Sequence, residues 1–224
     1  MIHGINTDGV EKFLSNEESV RLKRGRWENE DVLLLKKYLS KEDSVLELGG
    51  CTGILSCVIN KCINGSHIVF EPNPEMIDCI KMVRDQNFCN FEIKNNIISD
   101  NESETFEVWD FRLGSGAPNL NGRGILDNPY GDSYRNYQIK GISLKSIAPQ
   151  FNVLFCDIEG AEYFLIENNY KELLNFNKLF FEFHHRFNNS KSNKKIHDKC
   201  IRVLEQDFNI IEARNNVYYF KKNE

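Results

Sequence analysis

Val45-Leu-Glu-Leu-Gly-Gly-Cys-Thr-Gly53 decides the fold. An apolar stretch of strand length runs into a glycine-rich turn. The next apolar stretch, His67-Ile-Val-Phe-Glu71, ends in an acid 18 residues after Gly53. Strand, glycine turn, helix and acid-tipped strand form the unit of an α/β sheet that admits a nucleotide-type cofactor. The glycines let the backbone approach the ligand, and the acid can accept hydrogen bonds from a ribose.

Outward from this stretch, strand and helix patterns alternate. Apolar residues at Val32, Leu34, Leu35 and Leu39 predict a helix over 28–39. Thr52 is a candidate N-cap for a helix over 54–62. Pro72-Asn-Pro74 breaks the chain and opens a helix to about Arg84, and a third strand is expected over 91–98. Val153-Leu-Phe-Cys-Asp157 and Lys178-Leu-Phe-Phe-Glu-Phe-His-His185 read as buried parallel strands with polar tips. Helices over 160–170 and 196–205 and a closing strand pair at 208–211 and 217–220 complete the chain. The fold class is therefore α/β: a three-layer sandwich on a mostly parallel, Rossmann-like, seven-stranded sheet with an inserted β-hairpin or loop. Residues 1–26 read as a leader with a short helix near 11–14, and 27–224 as the domain. An insert spans about 104–144.

Within that insert, residues 112–136 carry five glycines and two prolines. A loop this long inside a domain is functional or disordered. It offers Arg112, Tyr130, Asp132, Ser133, Tyr134 and Arg135, aromatic and hydrogen-bonding groups that suit a carbohydrate acceptor.

Composition sets bounds. A chain of 224 residues is long enough for one full core, and the net charge of −5 gives no global basic field, so no nucleic-acid partner is expected. Lys191, Lys194 and Lys195 are read as a solvated loop. The seven cysteines lack any CxxC pair, which disfavours zinc and thioredoxin-like chemistry and fits reduced thiols in the cytoplasm. The first residues lack the pattern of a signal peptide, and no apolar run reaches about 18 residues, so no membrane span is expected.

Ligands in such a sheet sit outside the carboxyl ends of the strands. The polar residues there are Glu47, Gly49, Glu71, Ser99, Asp100, Asp157, Glu182, His184 and His185. A nicotinamide fingerprint needs a second glycine that admits the pyrophosphate, and this turn lacks it at that place. Glu47-x-Gly49-x-x-x-Gly53 suits a cofactor without pyrophosphate, such as S-adenosyl-L-methionine, whose ammonium an acid before the turn can hold.

Phe70-Glu-Pro-Asn-Pro74, Asn96-Ile-Ile-Ser-Asp100, Asp157-Ile-Glu-Gly-Ala-Glu162 and Phe181-Glu-Phe-His184 follow the turn in order. On these motifs the chain resembles the FkbM-type group of class I S-adenosylmethionine methyltransferases over about residues 28–187. The family turn is usually Asp-x-Gly-Ala-Asn-x-Gly; here it is Glu-Leu-Gly-Gly-Cys-Thr-Gly, without the asparagine. The resemblance implies that Glu47, Gly49 and Gly53 cradle the methionine part. It also implies that Glu71 holds the ribose and that Ser99 and Asp100 lie near the adenine. It further implies O-methylation of a sugar hydroxyl in a glycan or polysaccharide precursor.

Asp157 is the first candidate for base or metal ligand, with helix capping as its structural alternative. His184 is the second, with Glu159 in the same motif, while Glu162 reads as structural. Mg2+ on Asp157, Glu182 and His184 can act as a Lewis acid. Arg112, Tyr130, Tyr134 and His185 are the candidate acceptor contacts. Trp27 and Glu28 either close over the cofactor or, for Trp27, anchor the core. Other readings are a methyltransferase for another small molecule or a protein side chain, a nucleotide-binding module without turnover, and a dehydrogenase.

Overall fold

The computed structural model describes residues 1–25, 27–109, 116–118, 134–184 and 191–223. A short 3-10 helix, Val10–Phe13, precedes α1 (Asn16–Lys23), α2 (Asn29–Tyr38), β1 (Val45–Leu48), α3 (Ile54–Cys62), β2 (His67–Phe70) and α4 (Ile77–Gln86). Then come β3 (Glu92–Lys94), β4 (Ile97–Ile98), β5 (Ser103–Trp109), β6 (Gly116–Pro118), β7 (Tyr134–Ile142) and α5 (Leu144–Ile147). The chain closes with β8 (Val153–Cys156), α6 (Glu162–Leu173), β9 (Lys178–Glu182), α7 (Lys191–Leu204), β10 (Phe208–Arg214) and β11 (Val217–Lys222).

Seven strands form the main sheet in the order β10-β11-β9-β8-β1-β2-β3. β1 pairs in parallel with β2, Val45 opposite His67, and with β8, Val45 opposite Val153. β11 alone runs antiparallel to its neighbours. The order turns back between β1 and β8, so the crevice of the switch point opens at their carboxyl ends.

Strand residues alternate between two cores, as a period of two requires. Val45, Val69, Val153, Phe155 and Phe180 face the layer of α2, α3 and α4. Leu46, Leu48, Leu154, Cys156, Leu179 and Phe181 face the layer of α5, α6 and α7. The leader joins the first core: Ile2, Ile5, Val10, Leu14 and Leu22 are buried in it. Asn87 clasps the leader, accepting from the Asn6 amide at 2.7 Å and donating to the Asn6 carbonyl at 2.9 Å. Trp27 packs on the same core, as the anchor reading expects.

Three expectations change. The third strand is split: the Asn95 side chain donates to the carbonyls of Glu71 and Pro72, and the chain leaves the main sheet. β4 then joins a second sheet, β4-β7-β5-β6, which is the inserted element. The expected loop at Lys191, Lys194 and Lys195 is the first turn and a half of α7, which buries Cys200 and Leu204 one helical turn apart. The N-cap of α3 is Gly53, in the left-handed region at φ 78°, and not Thr52. None of the seven cysteines is in a disulfide, and no helix among the described residues is long and apolar enough to cross a membrane.

Candidate active site at the tips of β1, β2, β8 and β9

The turn after β1 fits its neighbours only as glycine. Gly49 has φ 94°, and a Cβ there would stand 1.8 Å from the Asp157 carbonyl oxygen. A Cβ on Gly50 would stand 2.6 Å from Val69 Cγ1, so the turn lies flat across the strand tips. Cys51 follows in the left-handed region at φ 45°.

Glu71 ties that turn to β2. Its carboxylate accepts the Cys51 amide at 2.8 Å and the Asn73 amide at 2.7 Å. Burial pushes its pKa up to about 7, even though those amides pull the other way. Beside it the Asn73 side-chain nitrogen is buried without a hydrogen-bond partner. A flat glycine turn, a carboxylate and a spare donor at adjoining tips suit a nucleoside with an amino-acid head.

Glu47 lies elsewhere. It shares the face of Val45, is fully buried, and is held by the Ser56 hydroxyl at 2.6 Å and His67 Nε2 at 2.8 Å. Its carboxylate braces β1 against α3 and β2 under the turn.

The other half of the site is a set of carboxylates around one imidazole. His184 Nδ1 lies 3.1 Å from Glu162 Oε1, which also accepts the amides of Ile158 and Gly160 at 3.0 Å each. Glu162 thus fixes both the turn after β8 and the His184 ring, the structural part expected of it. His184 Nε2 faces Asp157 Oδ1 at 3.7 Å, Glu182 Oε1 at 3.7 Å and Glu159 Oε2 at 3.6 Å. Glu159 is held in the left-handed region at φ 57°. Burial alone would lower the His184 pKa; the hydrogen bond to Glu162 and the charges of Glu159, Glu162 and Glu182 outweigh it and bring it to about 9. Burial, then Glu182 and Glu159, raise Asp157 well above the usual carboxylate range. Asp157, Glu182 and His184 each offer a ligand atom within 4.8 Å of the others.

Two members come from the N-terminal side. Asp31 on α2 is 3% exposed, with Oδ1 unpartnered. Burial raises its pKa, and the nearby charge of Glu182 adds to this. Glu28, at φ 48°, has an unpartnered Oε2 and is raised by burial and by Asp31. Sequence reasoning singled out Glu28 but missed Asp31, whose partners Glu182 and His184 lie more than a hundred residues away.

Ser99 and Asp100 follow β4. The Ser99 hydroxyl donates to Glu104 at 2.6 Å, and Asp100 is exposed. The insert docks on the loop after β2: Arg135 forms a two-point pair with Glu75 at 2.6 and 2.8 Å, and the Tyr137 hydroxyl adds a bond to Glu75 at 2.6 Å. Tyr134 begins β7, whereas Arg112, Tyr130 and His185 lie outside the described residues.

Solved structures share this fold. The tRNA m1G37 methyltransferase of M. jannaschii is 15% identical with a TM-score of 0.51, over 88% of this chain and 50% of that one. The ribosomal protein L11 methylase of Lactobacillus delbrueckii subsp. bulgaricus is 12% identical with a TM-score of 0.50, over 88% of this chain and 80% of that one. WbdD, crystallised with the kinase inhibitor LY294002, is 10% identical with a TM-score of 0.53, over 88% of this chain and 41% of that one. The chain spans half the length of the first of these proteins. No family model matches the sequence, and no curated protein matches it.

Proposed function

We propose that this chain is an S-adenosylmethionine-dependent methyltransferase of FkbM type that methylates a sugar hydroxyl of a glycan or polysaccharide precursor. The observation that carries the cofactor is the pairing of the flat Gly49-Gly50 turn with the tethered Glu71 carboxylate. The cofactor supplies an electrophilic methyl group on a sulfonium. Gly49 and Gly53 give the methionine part room, Glu71 accepts from the ribose hydroxyls, and Ser99 and Asp100 border the adenine. Glu47 serves by bracing β1, since its carboxylate is fully buried beneath the turn between Ser56 and His67.

Methyl transfer is an in-line displacement, so the acceptor must be aligned, kept dry and relieved of a proton. Alignment contributes about 7–11 kcal/mol and a general base about 10²–10⁴-fold. Asp157 is the base: its raised pKa makes it a better proton acceptor than a solvated carboxylate. With a pKa near 9, His184 is an imidazolium at neutral pH, where it donates to the acceptor and offsets the charge of Glu159. Mg2+ on Asp157, Glu182 and His184 is the alternative means of polarising the same hydroxyl. Arg112, Tyr130, Tyr134 and His185 are assigned to the acceptor.

The sugar acceptor rests on the motif resemblance. The solved structures of like fold include a tRNA methyltransferase and a ribosomal-protein methylase, so the fold alone selects no acceptor. The net charge of −5 weighs against a phosphate backbone as partner. The test is calorimetric titration with S-adenosylhomocysteine, with NAD alongside. Micromolar binding of the first, lost in Glu71→Ala, supports the reading; binding of NAD alone overturns it. Asp157→Ala then separates an enzyme, which loses turnover and keeps cofactor affinity, from a binding module.

A further inference from the structure

We propose that the tips of β8 and β9 form a binding site for one hard divalent cation of the Mn2+ or Mg2+ class, with Asp157, Glu182 and His184 as protein ligands. The inference stands on side-chain geometry and does not depend on methyl transfer. His184 Nε2 is turned toward three carboxylate oxygens at 3.6–3.7 Å. These separations are too long for hydrogen bonds. Cis ligands of an octahedral ion at about 2.1 Å lie about 3.0 Å apart, so these groups need close by only about 0.7 Å to share one cation.

The ring is set up as a ligand. Glu162 accepts a hydrogen bond from Nδ1 at 3.1 Å, so Nε2 is the nitrogen that faces the carboxylates and binds the cation in exchange for its proton. A carboxylate behind a histidine in this way fixes its tautomer and strengthens it as a donor. Glu182 is held likewise: its Oε1 accepts from the Asn216 side chain at 2.8 Å.

Buried carboxylate oxygens in and around the cluster lack donors. Asp157 Oδ1 has no hydrogen-bond partner. Glu162 is fully buried with Oε2 unpartnered, and Asp31 is 3% exposed with Oδ1 unpartnered. Both border the cluster: Glu162 bonds His184, and the charge of Asp31 is felt at Asp157. Carboxylates buried without donors favour a cation among them. An oxygen-rich set with a single imidazole suits Mn2+ and Mg2+ better than zinc or copper.

The test uses the intact chain, stripped with EDTA and without cofactor. Mn2+ titrated into it and followed by electron paramagnetic resonance should saturate at one ion per chain. Spin-echo modulation from a coordinated imidazole nitrogen should be present and should vanish in His184→Gln. Asp157→Asn and Glu182→Gln should each weaken binding at least tenfold, and excess Mg2+ should compete. If one variant fails to fold, the other carries the test, with folding checked by circular dichroism. No saturable binding, or binding unchanged in the variants, overturns the site. So does capture of an organic ammonium at this cluster in place of Mn2+. Titration of the same sample with S-adenosylhomocysteine reads the cofactor separately, so either assignment can fail alone.

Discussion

Glu162 Oε1 holds His184 Nδ1 at 3.1 Å and two amides of the 157–160 turn at 3.0 Å. One carboxylate oxygen therefore sets the position of both groups assigned to the chemistry. Its place at the start of α6 also puts its negative charge at the positive end of a helix.

The His184 ion cluster makes the metal-free protein sensitive to alkali. The folded pKa is about 9, raised from 6.5. The stabilisation is therefore fully present below about pH 6.5 and is lost as pH rises through about 9, a change of ~3 kcal/mol. Urea melts in EDTA between pH 6 and 10 should show this slope. Glu162→Gln should flatten it, and an unchanged slope would remove Glu162 as its source.

Glu71 has a folded pKa of about 7, raised from 4.5. It stabilises the fold below about pH 4.5, and that contribution is lost as pH rises through about 7. Cofactor affinity runs the other way, because an ionised carboxylate accepts ribose hydroxyls more strongly. The Kd for S-adenosylhomocysteine should fall several-fold between pH 6 and 8. In Glu71→Gln that dependence should disappear along with most of the affinity.

Glu47 should behave as a structural residue. Glu47→Ala strands the Ser56 hydroxyl and His67 in the core, at a cost of about 2–4 kcal/mol. Thermal melts read the loss. Cofactor affinity at a temperature where the variant is folded should stay within about threefold. A hundredfold loss there would return Glu47 to the ligand.

Asn87→Ala removes both clasp bonds to Asn6 and a third to the Val83 carbonyl at 2.8 Å. The expected cost is ~1–3 kcal/mol. Hydrogen exchange should rise first over residues 1–14 and leave β1 and β8 protected.

Much of this architecture is readable from strand chemistry. β8 and β9 are apolar runs with acid tips, and their burial on both faces is the reason the runs are continuous. Their tips do bring Asp157, Glu182 and His184 together. What escaped depends on side-chain direction. Glu47 is one residue from the end of β1, and the pleat sends it to the α3 face, which a motif does not reveal. The third strand breaks because Asn95 reaches back to the Glu71 carbonyl, a contact across 24 residues. α1 left a legible mark: Ser15 and Glu18 form a reciprocal capping box, a pattern that sequence reading passed over. Asp31 had no mark at all, since α2 and β9 meet only in the folded chain.

The contact between Gly49 and the Asp157 carbonyl has a consequence for how ligands communicate. A side chain beginning at residue 49 would meet that oxygen at 1.8 Å, so only glycine lets the turn lie directly against the tip of β8. A ligand on the turn and an ion at residue 157 should therefore sense one another through this backbone contact. Each affinity is then to be measured with the state of the other site stated.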